Sequence, residues 1–204
     1  MYTFILFIQI RYMLKKPILV IEHCEPILSD WLLLEYKHSV KIWGKNTIFT
    51  NIKDKKVNNI LKNISKTEKK NAKEFLFNKK CIILDPQSKK TLKTNDFKNL
   101  DAIIVGGILG YQKPRGRTKK LISDKYKFET RNIGKIQLTI DGAVFVAKKI
   151  FSGKKIKDIE IAYELEIIHD PIHSTILPFG YPIFNNKPII TPGLVELITK
   201  DNGI

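Results

Sequence analysis

The 204-residue chain is long enough to bury a substantial core, and its 43% apolar content is that of a soluble globular protein. Two cysteines, Cys24 and Cys81, exclude a disulfide framework, and with no export signal they point to the reducing cytoplasm. The net charge of +16, from 36 Lys+Arg against 20 Asp+Glu, fits either a nucleic-acid or ribosome-facing surface or a general lysine bias spread along the chain.

The start, "MYTFILFIQIRYM", is too short to span a membrane, which takes about 20 apolar residues. Its positive charges, Arg11, Lys15 and Lys16, follow the apolar run instead of preceding it, unlike a secretory signal. Residues 1–12 are expected to be an appendage, with a membrane-surface anchor as the alternative, and residues 13–204 to form one domain. "PILVIE" (17–22) then reads as a buried strand, and "SDWLLLEYKHS" as a helix capped by Ser29 or Asp30. "NTIFTNI" is a second strand. Val57, Ile60, Leu61 and Ile64 keep a helical spacing, with lysines on the outer face. "CIILDP" (81–86) and "DAIIVGGIL" (101–109) are further strands, and the polar stretch Asp85–Asn99 between them is the one weak candidate for a boundary.

"KYKFETRNI" alternates as a strand does. Asp141 is expected to cap "GAVFVAKKIF", a helix with Ala143, Val146, Ala147 and Ile150 on one face, stopped by Gly153. "IEIAYELEIIHDP" is strand-like, and "STILPFGYP" (174–182), with three helix and strand breakers, reads as a rigid loop. "TPGLVELITK" is a last helix, with Pro192 near its first turn and Leu194, Leu197 and Ile198 packed inward. Strands that are near-continuous apolar runs, alternating with helices, predict an α/β fold: a mainly parallel sheet with helices on both faces. Ligands of such sheets bind beyond the carboxyl ends of the strands.

One such end carries "GGILGYQKPRGRT" (106–118). It has no Gly-Lys-Ser/Thr ending and no Gly-x-Gly-x-x-Gly, so it is neither a Walker loop nor a dinucleotide fingerprint. Gly106, Gly107 and Gly110 let backbone approach a flat ligand, while Arg115 and Arg117 add charge. "RNIGKIQLTIDGAV" (131–144) is a glycine turn leading into a helix. Glu22, His23 and Glu25, in "IEHCEP", are candidates for acid–base work. His23, Cys24, His169 and His173 lack metal-ligand spacing, so no metal is expected.

Together "VIEHCEPILSDWLLLEY", "CIILDP", "GGILGYQKPRGRT", "RNIGKIQLTIDGAV" and "LPFGYP" resemble, in this order and over roughly residues 17–200, a branch of the SPOUT methyltransferases. That branch holds archaeal relatives described as predicted S-adenosylmethionine-dependent RNA methyltransferases and a fungal enzyme that methylates an arginine of a small-subunit ribosomal protein. The resemblance implies a deep C-terminal trefoil knot over roughly residues 101–200. It implies S-adenosyl-L-methionine as cofactor, held by three loops. On this chain those are Gly106, Gly107, Ile108, Leu109 and Gly110; Ile133, Gly134, Gln137, Leu138 and Thr139; and Leu177, Pro178 and Phe179. It implies a ribosomal protein or ribosomal RNA as partner, no membrane, and a monomer in preference to the dimer usual in the class. The chain departs from the branch in its glycine loop. Gly110-Tyr111 stands where Gly-Asp is usual, and Lys113-Pro114-Arg115-Gly116-Arg117-Thr118 where the fungal form has Pro-Pro-Arg-Asp-Arg-Thr, so two expected carboxylates are missing.

A guanidinium acceptor is cationic and a poor nucleophile, and needs carboxylates to orient it and take its proton. Glu22 and Asp141 are the candidates for that role, with Arg115 as a third catalytic candidate that orients the loop or meets an anion. The expected activity is methylation of a ribosomal-protein arginine. RNA methylation is the alternative, and a catalytically silent knot that binds the ribosome is a third.

Overall fold

The computed structural model describes residues 15–201. Residues 1–12, expected to be an appendage, lie outside the described residues. The elements in chain order are β1 (Ile18–His23), α1 (Asp30–Trp43), β2 (Thr47–Thr50), α2 (Lys55–Leu61), β3 (Lys66–Thr67), α3 (Ala72–Phe75), β4 (Cys81–Leu84) and β5 (Ala102–Gly107). There follow a π-helical turn (Lys119–Ser123) running into α4 (Asp124–Tyr126), then β6 (Glu129–Arg131) and α5 (Ile140–Phe151). The chain ends with β7 (Ile161–Ile168), β8 (Ser174–Phe184), β9 (Lys187–Pro188) and α6 (Leu194–Asp201).

Six strands form one parallel sheet in the order β3-β2-β1-β5-β4-β6. Its central strands bury both faces, which is why "ILVIE", "CIIL" and "AIIV" carry no polar alternation. Leu19, Ile21, Ile103 and Val105 pack one face against Leu32, Tyr36 and Trp43 of α1 and Val144, Ala147 and Ile150 of α5. Val20, Ile83, Ala102 and Ile104 pack the other against Ala72, Leu76 and Ile122. Ser29 caps α1, its hydroxyl accepting from Leu32 N at 3.3 Å, and Gly44 follows α1 at φ 93°, a left-handed value that favours glycine.

Local readings fail where partners outside the segment decide. "STILPFGYP" is not a loop but most of β8, paired antiparallel with β7 and β9 in a second, three-stranded sheet. Two prolines argue against a strand, but the register shifts between Tyr163 and Leu165, with Glu164 at φ 61°. That bulge leaves Pro178 and Phe179 with no β7 partner, so the missing N–H of Pro178 costs nothing there. "KYKFETRNI" yields only the short β6, its first part being helical. Ile60 is 43% exposed, because α2 ends at Leu61 and only Leu61 is fully buried from it. Within Asp85–Asn99, Leu92 and Phe97 belong to the main core.

Candidate active site

Three loops meet beyond the carboxyl ends of β4, β5 and β6. They line a cleft of about 150 Å³ with residues 84–87, 105–106, 108–111, 114–118 and 133–140. Gly106, Ile108, Leu109 and Gly110 of the predicted first loop lie here, with Ile133, Gly134, Gln137, Leu138 and Thr139 of the second. Gly110 is where the loops close on each other. A Cβ there would stand 2.5 Å from Gln137 Nε2 and 3.0 Å from Phe179 Cδ1. Gln137 Nε2 also donates to the Tyr111 carbonyl at 2.8 Å, tying the second loop to the first.

Gly107, expected in the same loop, lines neither this cleft nor the second cavity. It pairs with His23 in the sheet and turns to the other side, where its missing Cβ makes room for Tyr36. The third wall of the cleft is Leu84, Asp85, Pro86 and Gln87, a loop that sequence reasoning passed over as a strand closure. Asp85 is buried, accepting from Ser123 Oγ at 2.7 Å and Gln87 N at 2.9 Å, so it holds this wall in shape.

Leu177, Pro178 and Phe179 line a second cavity instead, of about 420 Å³, with Trp31, Glu35 and Ile198. Ile108, Leu109, Gly110, Thr139 and Ile140 line both, so the two spaces share a wall.

The glycine loop is held by an ion pair. Glu25 accepts from Arg117 Nη1 at 2.6 Å and from Arg117 Nη2 at 3.0 Å, one oxygen to each. Its first oxygen also accepts from Leu109 N at 2.8 Å, and Arg117 donates to the Leu109 carbonyl at 3.3 Å. The Glu25 bonds hold the guanidinium above its ordinary pKa. Arg115 is exposed in the cleft, stacked 3.9 Å from the Tyr111 ring centroid. The side chain at the position of an expected carboxylate is thus a platform for an arginine.

Of the carboxylate candidates, neither faces a cavity. Glu22 is fully buried on the far face of β1, accepting from Thr50 Oγ1 at 2.5 Å, Ala72 N at 2.9 Å and the Tyr126 hydroxyl. Burial pushes its pKa up, the bonds opposing. It ties β1 to β2 and α3. Asp141 is also fully buried, and it does not cap α5. Thr139 does, its hydroxyl accepting from Gly142 N at 3.1 Å, two residues earlier than expected. Asp141 accepts instead from Thr191 Oγ1 at 2.6 Å and lies 2.7 Å from His38 Nδ1. His23 Nδ1 is 2.9 Å from the Tyr36 hydroxyl, and burial pushes its pKa down. The Cys24 thiol is pushed up to about 12 by burial. Among the described residues no three His, Cys, Asp or Glu gather as a metal set.

The acid that lines the second cavity is Glu35, on the inner face of α1. Its Oε1 accepts from Trp31 Nε1 at 2.7 Å and its Oε2 from Ile140 N at 2.8 Å. Burial and the charge of Asp141 push it up to about 8. The signal was in the sequence: a glutamate on the apolar side of a helix, three residues after Leu32 and one before Tyr36. A second missed signal is charge. From Asp158 to Asn186 there are five acidic residues, Asp158, Glu160, Glu164, Glu166 and Asp170, and no Lys or Arg. This is the β7–β8 hairpin, with Tyr163, Ile168, Ile172 and Ile176 exposed on it. Glu166 pairs with Ile176 across the hairpin, on the same face, and Ile176 lines the second cavity.

Residues 18–203 match the family described as SFM1-like protein arginine N-methyltransferases. The chain belongs to that family. It is 28% identical over 202 residues to the protein arginine N-methyltransferase SFM1 of Saccharomyces cerevisiae, covering 90% of this chain and 95% of that one. The structure of the yeast arginine methyltransferase SFM1 with SAM superposes at a TM-score of 0.83 with 27% identity, covering 98% and 97% of the two chains. The yeast enzyme is also solved with SAH, at a TM-score of 0.82, 28% identity and 89% and 94% coverage. The dual-specific Trm10 of Thermococcus kodakaraensis shares the fold, at a TM-score of 0.52, 17% identity and 70% and 96% coverage. The class foreseen from the motifs, an S-adenosylmethionine-dependent methyltransferase with a mainly parallel sheet, is that of the family.

Proposed function

We propose that the protein transfers a methyl group from S-adenosylmethionine to an arginine of a basic protein, a ribosomal protein being the expected one. The single observation that carries the choice of protein over RNA is the β7–β8 hairpin. In a chain of net charge +16, the surface leading to the second cavity is acidic and apolar. Phosphates are repelled by such a surface, and a basic polypeptide with apolar residues is attracted. RNA recognition would instead set lysines and arginines around the acceptor space.

The residues of the first cleft fit the cofactor. Gly106 and Gly110 both line the cleft, and a Cβ at Gly110 would collide with Gln137 and Phe179, so the close approach of the loops that wall it depends on glycine there. Gly106, Ile108, Leu109, Gly110, Ile133, Gly134, Gln137, Leu138 and Thr139 would hold it, with Leu84–Gln87 as the third wall. Bound there, it supplies an electrophilic methyl group on a sulfonium. The chain's own task is to bring the acceptor nitrogen into line through the wall the two spaces share. The Glu25–Arg117 pair fixes that wall at Leu109, and Arg115 sits at the mouth of the cleft. We extend the proposal to a monomeric, cytoplasmic protein whose residues 13–204 are one domain with the C-terminal knot of its class.

The test uses radiolabelled S-adenosylmethionine and ribosomal subunits from cells lacking this gene. Label in protein, released as methylarginine on hydrolysis, is the expected result. Label in RNA sinks the arginine reading, and no label in either despite cofactor binding sinks both enzymatic readings.

A further inference from the structure

Glu35 is an acid without a cation. It occupies a core position of α1, 2% exposed, and among the described residues it forms no ion pair. Each oxygen accepts one hydrogen bond, from Trp31 Nε1 and from Ile140 N, and keeps a lone pair for another. A buried carboxylate with no partner is strongly disfavoured, and such a group either keeps a proton or receives a cation. The titratable groups around it are of the wrong kind to neutralise it. From α5 comes Asp141, next in the chain to Ile140, and from β8 the Tyr181 hydroxyl, buried and without a hydrogen-bond partner. From α1 itself come Tyr36 and His38, and His38 is already engaged with Asp141. Apart from Thr139 and Thr175, the cavity is otherwise walled by apolar groups, among them Trp31, Ile176, Leu177, Phe179 and Ile198.

We infer that Glu35 is the residue that receives the acceptor guanidinium in the second cavity, pairing with it and taking the proton released on methylation. This rests on the arginine-methyltransferase reading above. A guanidinium is a planar fork that matches a carboxylate, and aromatic walls suit its faces. Without an acceptor, the raised pKa keeps a proton on Glu35 near neutrality. The entering cation replaces that proton and leaves a carboxylate beside it. In the transfer, the acceptor nitrogen forms its bond to the methyl carbon as the bond from that carbon to sulfur is lost, its electron pair going to sulfur. The nitrogen sheds one proton to Glu35, so the methylated side chain remains a monocation. Asp141 and His38 are positioning residues here: they hold the start of α5, and with it the Ile140 amide that aims one Glu35 oxygen.

The test compares wild type, Glu35→Gln and Glu35→Ala on the ribosomal subunits described above, with cofactor binding measured by calorimetry. Glu35→Gln is expected to lose about 100-fold or more in kcat/KM while holding cofactor affinity within about 3-fold, the range for a lost general base. Added formate is expected to restore part of the Glu35→Ala activity, which a purely structural glutamate would not allow. The wild type needs no variant to fold: its kcat/KM is expected to rise with pH through a value well above the ordinary carboxylate range. Wild-type label in protein with Glu35→Gln reduced less than about 10-fold overturns the assignment alone, as does a flat wild-type profile between about pH 6 and 9. Wild-type label in RNA overturns instead the reading on which it rests.

Discussion

Arg117→Leu removes the clamp on the glycine loop and should weaken cofactor binding without unfolding the protein. The pair is partly exposed, at 22% for Arg117 and 12% for Glu25, so it lies between a surface and a buried bridge. Surface pairs contribute about 0–1 kcal/mol. Breaking a fully buried one costs about 3–5 kcal/mol, because a charge is stranded. Two charge-assisted bonds to one carboxylate, plus the bond to the Leu109 carbonyl, place the loss at about 1–3 kcal/mol. That energy is local, since it fixes Leu109, which lines both spaces, and not the sheet beneath. The expected result is a cofactor affinity lower by about 5- to 140-fold, at about 1.4 kcal/mol per factor of ten, with a thermal midpoint little changed. Arg117→Lys should recover only part, because a lysine makes a point contact where the guanidinium makes a fork. A double-mutant cycle with Glu25→Gln, read by calorimetry, should give a coupling of about 1 kcal/mol or more. Additive losses would mean that the two side chains act on the loop separately, and the clamp argument would be wrong.

Gly107→Ala and Gly110→Ala should separate stability from binding. The first drives a methyl group into the Tyr36 ring and its bond to His23, and should cost about 2–3 kcal/mol in urea unfolding with cofactor affinity intact. The second pushes Phe179 and Gln137 away from the first loop and should lower cofactor affinity about 10-fold or more, while urea unfolding changes little. Glu35 makes stability fall as pH rises: its native pKa of about 8 lies above the unfolded value, so the folded state binds the extra proton between about pH 4.5 and 8. Thermal midpoints should therefore decline across that window, and Glu35→Gln should flatten the decline. Cys24, half-buried with its thiol pushed up to about 12, should resist alkylation at pH 8 in the folded protein and react in urea.

The parallel sheet was legible because burial on both faces writes itself as unbroken apolar runs, and "ILVIE", "CIIL" and "AIIV" fall within β1, β4 and β5. Helix ends were half legible. Ser29, one of the two candidates, caps α1, but at α5 both Thr139 and Asp141 have capping side chains, and only tertiary contacts with His38 and Thr191 show that Asp141 is engaged elsewhere. β8 was not legible, because Pro178 is tolerated through a bulge in a different strand, at Glu164. Nor could a glycine run reveal that Gly106 is turned toward Ile122 while Gly107 faces Tyr36. That follows from the strand alternation, once the register Glu22–Gly106 and His23–Gly107 is known. Leu84–Gln87 was misread for a related reason: a loop's role depends on which strand stands beside it, and β4 sits between β5 and β6.

Counting charge over the whole chain concealed the arrangement that bears on function. The sum of +16 fitted a nucleic-acid or ribosome-facing surface or a general lysine bias, yet the Asp158–Asn186 segment contributes five negative charges and no positive ones from Lys or Arg. A net charge describes the far field, which at ordinary ionic strength decays over about 8–10 Å. A partner entering the second cavity meets the near field of the hairpin, where Glu166 shares a face with Ile176 at the cavity wall. Inside, Glu35 is the only acid among the described residues that line the cavity, and the helix that carries it also builds the core. Outer acids attract a cation and an inner acid is short of one. A cationic side chain on a basic protein satisfies both, and a phosphodiester backbone satisfies neither.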